Sequence, residues 1–419
     1  MNSLLIQFSF IFFIITLGVL LNEKFFKIPT EIALLCFSLL GSIIIKILTS
    51  IDILTPGTTM FEQISTINLN KFLMDGVLCF MLFTGASDMR IKTFVKYSKQ
   101  ITLYALLTTV ITTLLYGGIF YLLCVLFNAP ISPVYCFLLG AIVSPTDPIA
   151  ATGILNKLGL PEDIFSIMAG ESLFNDGVGV ALFLFFSAFI TGESEGGFAY
   201  VMIKELFGAI ITATIISLFC LFLLRKTQNK LYHVIISLFA VTACYTICDM
   251  LGFSGVIASV VCGIFFGSYT NYMKEQGLLD TKDTTYEVFW GTVDKLLNYV
   301  LYVFIGISFL FIVRVEFALI VILAVVVINF ITRYSGVFVS TCFLKETPGG
   351  YNKNRFSILM SWSGLKGGLS LALIISIASI LPADIYEKLL FVVFTTIIFT
   401  TIVQGLTVAK LYLKMKKRP

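Results

Sequence analysis

Inside an apolar run at residues 133–154, the chain reads Ile142-Val143-Ser144-Pro145-Thr146-Asp147-Pro148-Ile149-Ala150. Proline has no backbone donor and clashes with the preceding helical turn. Two prolines around a carboxylate therefore predict a break in the middle of the run. A second run, at 356–380, is interrupted by Ser361-Trp362-Ser363-Gly364-Leu365-Lys366-Gly367-Gly368-Leu369-Ser370. Its glycines weaken a helix, and again a charge sits among the breakers. Non-helical backbone at membrane depth is tolerated only inside protein or along a water-filled cavity.

Both runs lie in a chain built for a bilayer. Of its 419 residues, 58% are hydrophobic and 12% charged, against roughly 25% charged in soluble domains. The apolar excess extends along the whole length, so one transmembrane domain, 1–419, is expected, with no soluble C-terminal domain. A spanning helix needs roughly 20 mostly apolar residues. Thirteen stretches qualify: 3–21, 31–49, 72–87, 101–127, 133–154, 164–190, 201–224, 231–250, 253–270, 293–313, 317–343, 356–380 and 388–411. A β-barrel would alternate apolar and polar residues, whereas Leu4 to Leu21 is apolar on every face. The first stretch lacks the basic flank and small-residue cleavage site of a signal peptide and is taken as a span.

Basic residues accumulate in cytoplasmic loops. With the N-terminus outside and thirteen spans, 21 Lys and Arg fall inside, and only Lys71, Lys204, Arg314 and Lys388 fall outside. This sets the N-terminus outside and the C-terminus in the cytoplasm. The basic end at Lys410–Arg418 serves as an anchor at the lipid headgroups, and nothing supports nucleic-acid binding. The nine cysteines form no framework; Cys244 and Cys248, four apart, have no His or carboxylate partner and are expected to pack as small apolar residues. His233, the one histidine, sits at a helix start near the interface. The longest loops are 50–71, outside, and 271–292, inside; the latter, with Tyr286, Phe289 and Trp290 among charges, is expected as an amphipathic piece at the interface, with a gate as the alternative.

Spans five and twelve hold equivalent places if spans 1–6 and 8–13 are two six-helix repeats, about 1–190 and 229–414. An odd offset of seven gives the repeats inverted topology. Interrupted spans in corresponding positions point to a transporter binding site. Charges at the bilayer centre cost on the order of 2.5–3.5 kcal/mol each, so Asp147, Glu171, Asp176, Arg333 and Lys366 need a reason. Span six carries Gly170-Glu171-Ser172-Leu173-Phe174-Asn175-Asp176-Gly177. Residues three and four apart share a helical face, so Ser172, Asn175 and Asp176 point together. Glu171 lies about 140° from Asp176 around the helix and needs its own partner, for which Arg333 is the natural candidate. Asp147, the Thr146 carbonyl, Ser172 and Asp176 offer oxygens to a hard monovalent cation, without the carboxylate number of a calcium site. Plainer roles stand beside these. Asp147 could cap a half-helix, and Asp176 could be a satisfied core group. Asp75 and Asp88, at the ends of span three, are expected at the interface. Lys366 either neutralises the half-helix end in span twelve or snorkels to water.

At these motifs the sequence resembles sodium/proton antiporters of the NhaP type, in the monovalent cation:proton antiporter-1 family. The matching stretches are Ser144–Pro148, Glu171–Gly177, Asn329-Phe330-Ile331-Thr332-Arg333 and Trp362–Leu373. The resemblance implies an all-α fold of about thirteen helices with unwound helices five and twelve, and a homodimer. It implies Asp176 as the transport carboxylate, with Asp147, Ser172 and the Thr146 carbonyl holding the ion, and Asn175 and Thr146 supporting them. Glu171 would pair with Arg333. The Asn175-Asp176 pair implies the electroneutral, one-for-one branch. Lys366 departs from the arginine common at its position, and Phe83-Thr84-Gly85-Ala86-Ser87-Asp88 lacks the acidic residue usual there. The implied activity is exchange of protons for sodium or lithium, serving pH homeostasis, without a cofactor and without enzymatic chemistry. A potassium/proton exchanger carries the same motifs. A cation channel and an intramembrane aspartyl protease using Asp147 and Asp176 are remoter; the protease would need Tyr-Asp and Gly-x-Gly-Asp around its aspartates, and neither is present.

Overall fold

The computed structural model describes residues 3–51, 53, 76–87, 91–128, 131–147, 149–192, 198–227, 229–276, 285–311 and 319–416. Asp75, Asp88 and Pro148, and most of the expected loop 50–71, lie outside them. All regular structure among the described residues is helical. In chain order the α-helices are α1 (Ser3–Leu21), α2 (Thr30–Ser50), α3 (Cys79–Ser87), α4 (Ile91–Thr102), α5 (Thr109–Leu126), α6 (Pro133–Val143), α7 (Ile149–Lys157), α8 (Glu162–Thr191), α9 (Phe198–Leu224), α10 (Lys230–Met250), α11 (Gly255–Glu275), α12 (Thr285–Ser308), α13 (Leu319–Cys342), α14 (Lys353–Ser363), α15 (Gly368–Ser376), α16 (Ala383–Ile398) and α17 (Gly405–Lys416). A π-helical turn joins α4 to α5 at Leu103–Thr108, and another joins α16 to α17 at Phe399–Gln404.

Ten helical stretches among the described residues are long and apolar enough to cross a membrane, and α14 with α15 makes an eleventh across a 60° bend. The two remaining expected spans are shorter. The third is described only from Gly76, as the apolar stretch Gly76–Ser87, and the fifth is divided into α6 and α7. The interfacial segment expected at 271–292 is different in the structure. Helix α12 already begins at Thr285, and Trp290 is 1% exposed. Its ring packs on Phe80, Phe83 and Phe289, and its indole N–H donates to Ser237 Oγ at 3.0 Å. Aromatics among charges look interfacial in sequence, but a buried tryptophan needs only one partner for its N–H.

Without a hydrophobic drive between helices in lipid, close approach depends on small residues. Gly140 of α6 lies against the Thr113 carbonyl of α5, and Gly117 of α5 against Phe137 of α6. Gly263 and Gly267 of α11 meet the Phe83 and Ser87 carbonyls of α3 in the same manner. A Cβ at any of these positions would overlap the neighbour. One apolar cluster gathers α3 and α9–α11 with Trp290; the larger one surrounds the divided helices and α8. Cys244 and Cys248 are buried in the first, and no group of three or more metal-ligating side chains occurs among the described residues.

Candidate cation site

The chain between α6 and α7 and the chain between α14 and α15 are both unwound, and they cross. The Asp147 N–H donates to the Leu365 carbonyl at 2.9 Å, so each segment satisfies part of the other's free backbone. Orphan carbonyls at the end of α6 find side chains. Ser370 Oγ donates to Ile142 O at 2.7 Å, and Lys366 Nζ donates to Ser144 O at 3.1 Å and to Pro145 O at 3.2 Å. Lys366 is 0% exposed. It therefore does not snorkel, and the helix end it neutralises belongs to span five, not span twelve. A cation at a helix C-terminus is favoured by the macrodipole, and the crossing brings that end, not its own, within reach of the ammonium.

Helix α8 packs beside the crossing and presents two faces. On one, Glu171 Oε1 lies 2.7 Å from Arg333 Nη1, both side chains being about fully buried at 3% and 2% exposure. Asn175 Nδ2 donates to Glu171 Oε1 at 3.0 Å and to Thr146 Oγ1 at 2.9 Å, and Arg333 Nη2 donates to Thr146 Oγ1 at 3.3 Å. On the other face, Ser172 and Asp176 line a cavity of about 120 Å³ together with Thr146 and Asp147. Ser172 Oγ donates to the Thr146 carbonyl at 2.8 Å. Asn175 does not line this cavity; it braces Thr146 from behind. The rest of the wall is largely apolar, with Leu78, Met81, Leu82, Leu173, Leu301 and Leu369. Two carboxylates, a hydroxyl and a carbonyl in an apolar wall suit a hard, monovalent cation.

Two further contributors were not singled out in the sequence. The Lys366 N–H donates to Thr400 Oγ1 at 3.0 Å, and Thr401 Oγ1 donates to Lys366 O at 3.3 Å. These threonines lie in the π-turn Phe399–Gln404 and hold the unwound peptide of span twelve. Threonine in a helix commonly bonds its own preceding turn, so two threonines in an apolar run carry little signal. The π-turn itself, a feature enriched at functional sites, is invisible in the sequence. Gly367 is the second contributor. A Cβ there would lie 2.8 Å from Asp147 Oδ2. Gly367→Ala should therefore push the Asp147 carboxylate away. Overpacking costs about 1–3 kcal/mol, which taken as lost binding is a roughly 5- to 150-fold weaker affinity for a cation in this cavity. Titrating cation binding to the purified protein checks this; an unchanged affinity would count Asp147 out as a candidate ligand.

Comparisons with known proteins agree with this architecture. Residues 57–414 match the family described as sodium/hydrogen exchanger, transmembrane. The chain is 28% identical over 406 residues to the Na(+)/H(+) antiporter NhaP of Pseudomonas aeruginosa, covering 94% of this chain and 93% of that one. It is 31% identical over 324 residues to the Na(+)/H(+) antiporter NhaH of Halobacillus aidingensis, covering 74% and 75%. Its fold is similar to that of the sodium proton antiporter MjNhaP1 from Methanocaldococcus jannaschii, with a TM-score of 0.78 at 20% identity over 99% of both chains.

Proposed function

The chain belongs to the sodium/hydrogen exchanger family, a family of secondary transporters and not of enzymes, and from that we propose a cation:proton antiporter working at the cavity beside the helix crossing. Sodium or lithium is the favoured cation, in electroneutral one-for-one exchange. Asp176 is the carboxylate that takes either a proton or the ion, with Asp147, Ser172 and the Thr146 carbonyl completing the ion's oxygens. The observation that carries this is the shared cavity wall: Asp147 and Asp176 face the same apolar space, while Glu171 is committed to Arg333.

The mechanism needs no bond chemistry. Burial disfavours the charged form of a carboxylate, and a bound cation favours it. One carboxylate that must release a proton to hold a cation therefore couples the two fluxes by competition. Alternating access completes the cycle if one group of helices rocks against the other around the fixed site. The proposal includes inverted repeats at about 1–190 and 229–414, a homodimer, an outside N-terminus and a cytoplasmic C-terminus, as the family resemblance and the basic loops imply.

Purified protein in liposomes with an internal pH dye tests this. A proton gradient should collapse on adding sodium or lithium, at a rate indifferent to clamping the voltage. Collapse with potassium alone would reassign the ion and keep the site. Cation flux without proton movement would favour a channel and overturn the antiport.

A further inference from the structure

The π-turn at Leu103–Thr108 lies inside span four and packs on both helices that carry the buried ion pair, α8 and α13. Such turns are frequent at functional sites. Tyr104 and Thr108, four residues apart, present their hydroxyls from one face toward α13. Tyr104 Oη lies 3.0 Å from Thr341 Oγ1. The single hydroxyl proton of Thr341 goes to the Val337 carbonyl at 2.7 Å, so Tyr104 is the donor. Thr108 Oγ1 donates to the Gly336 carbonyl at 3.4 Å and lies 2.8 Å from Ser340 Oγ. Tyr104, Thr108, Ser340 and Thr341 are all 0% exposed. Gly336 admits this approach, since a Cβ there would lie 2.9 Å from the Thr108 carbonyl.

Toward α8, Ile101 just before the turn fills the space beside Gly170, where a Cβ would lie 2.6 Å from Ile101 Cδ1. Gly170 adjoins Glu171, and Gly336 is three residues from Arg333. Span four is therefore a spacer that touches each helix next to its member of the pair. The pair needs its gap held closely. Arg333 Nη1 lies 2.7 Å from Glu171 Oε1 while Nη2 donates to Thr146 Oγ1 at 3.3 Å, so one planar guanidinium serves two acceptors. A slide of α13 by one residue, about 1.5 Å, exceeds the whole spread of hydrogen-bond distances. Apolar contacts are not directional and leave that slide open. The hydroxyl bonds to residues 336, 340 and 341 close it.

We propose that Thr108 and Tyr104 are positioning residues, which hold α13 at the height where Arg333 reaches Glu171 and Thr146 together and so keep the Thr146 peptide at the cation cavity. This rests on the antiport reading of that cavity. The links are contacts throughout: Thr108 to Gly336 and Ser340, Arg333 on the next turn of α13 to Thr146, and the Thr146 carbonyl to Ser172 in the cavity wall at 2.8 Å.

Thr108→Val keeps the branched shape and removes the hydroxyl. Sodium binding to the purified protein, titrated at several pH values, separates cation affinity from proton affinity, because the two compete. Thr108→Val should bind sodium about five-fold more weakly, the effect of one missing hydrogen bond, with proton affinity unchanged. Thr108→Ser keeps the hydroxyl and should bind as the wild type does. Ser340→Ala removes the same bond from the α13 side and keeps the test open should Thr108→Val fail to fold. Melting temperatures give a readout independent of the ion. Residues that share no contact normally act additively. In a protein carrying Glu171→Leu with Arg333→Met there is no pair to place, so Thr108→Val should lower the melting temperature by less than it does in the wild type. Unchanged sodium affinity, equal loss of both affinities, or an equal drop in melting temperature in both backgrounds overturns the proposal. A wild type that binds no sodium at any pH would sink the antiport reading, while the melting comparison still decides whether the hydroxyl bonds place Arg333.

Discussion

Asp176→Asn should fold, insert and give cation exchange no faster than protein-free liposomes. Asparagine matches aspartate in size, so α8 and the cavity wall keep their packing. It has no acidic proton to give up and no charge to hold a cation, so both halves of the competition vanish together. Nearby oxygens do not compensate. Asp147 remains in the cavity, but without a second carboxylate the site loses the charge that a cation would balance. Dye-monitored exchange, alongside a melting curve to establish folding, checks this. Wild-type rates in a folded variant would move the coupling away from Asp176 and undo the proposed mechanism. Slow but saturable exchange with an altered charge per cycle would mean that Asp147 can take over the proton.

Arg333→Met should cost stability more than any substitution at the cavity. Glu171 is 3% exposed, and Arg333 is its ion-pair partner at 2.7 Å. Taking one partner from a buried pair leaves an uncompensated charge, worth on the order of 3–5 kcal/mol. Arg333 also donates to Thr146, so the loss loosens the peptide whose carbonyl is proposed as an ion ligand. Glu171→Leu should destabilise for the converse reason, leaving the guanidinium unpaired. Replacing both at once removes both buried charges, and Asn175 keeps its bond to Thr146. The double variant should therefore melt well above either single one, as apolar replacements of buried pairs often do. Melting temperatures of the four proteins in one detergent measure the coupling. A double variant as unstable as the worse single would show that the two residues act separately.

Both results depend on a division of labour along one helix. Glu171 and Asp176 are five residues apart, which at 3.6 residues per turn already separates their directions. The partner of each is a matter of tertiary structure. That Arg333 meets Glu171 depends on where α13 lies, and a residue 162 positions away in the chain leaves no trace in local spacing. Lys366 makes the same point more sharply. Its own helix end and the solvent were the destinations legible from its neighbours, and the crossing delivered it to the carbonyls of Ser144 and Pro145.

The sequence by itself determined that this is an all-helical membrane protein, because apolar runs of bilayer length are a local property. It also determined that two of those runs break, since proline and glycine act on the backbone where they stand. The motif residues around the breaks pointed to an antiporter, and residues 57–414 match that family. Tertiary structure alone decided what the breaks face. It brought the segments at Asp147 and Leu365 into one hydrogen bond and set Thr400 and Thr401 on the Lys366 peptide. It also turned Trp290 from an expected interfacial residue into a core one. The physical reason is that breaking a helix frees donors and acceptors without naming their partners. Those partners come from whichever helix packs across the gap.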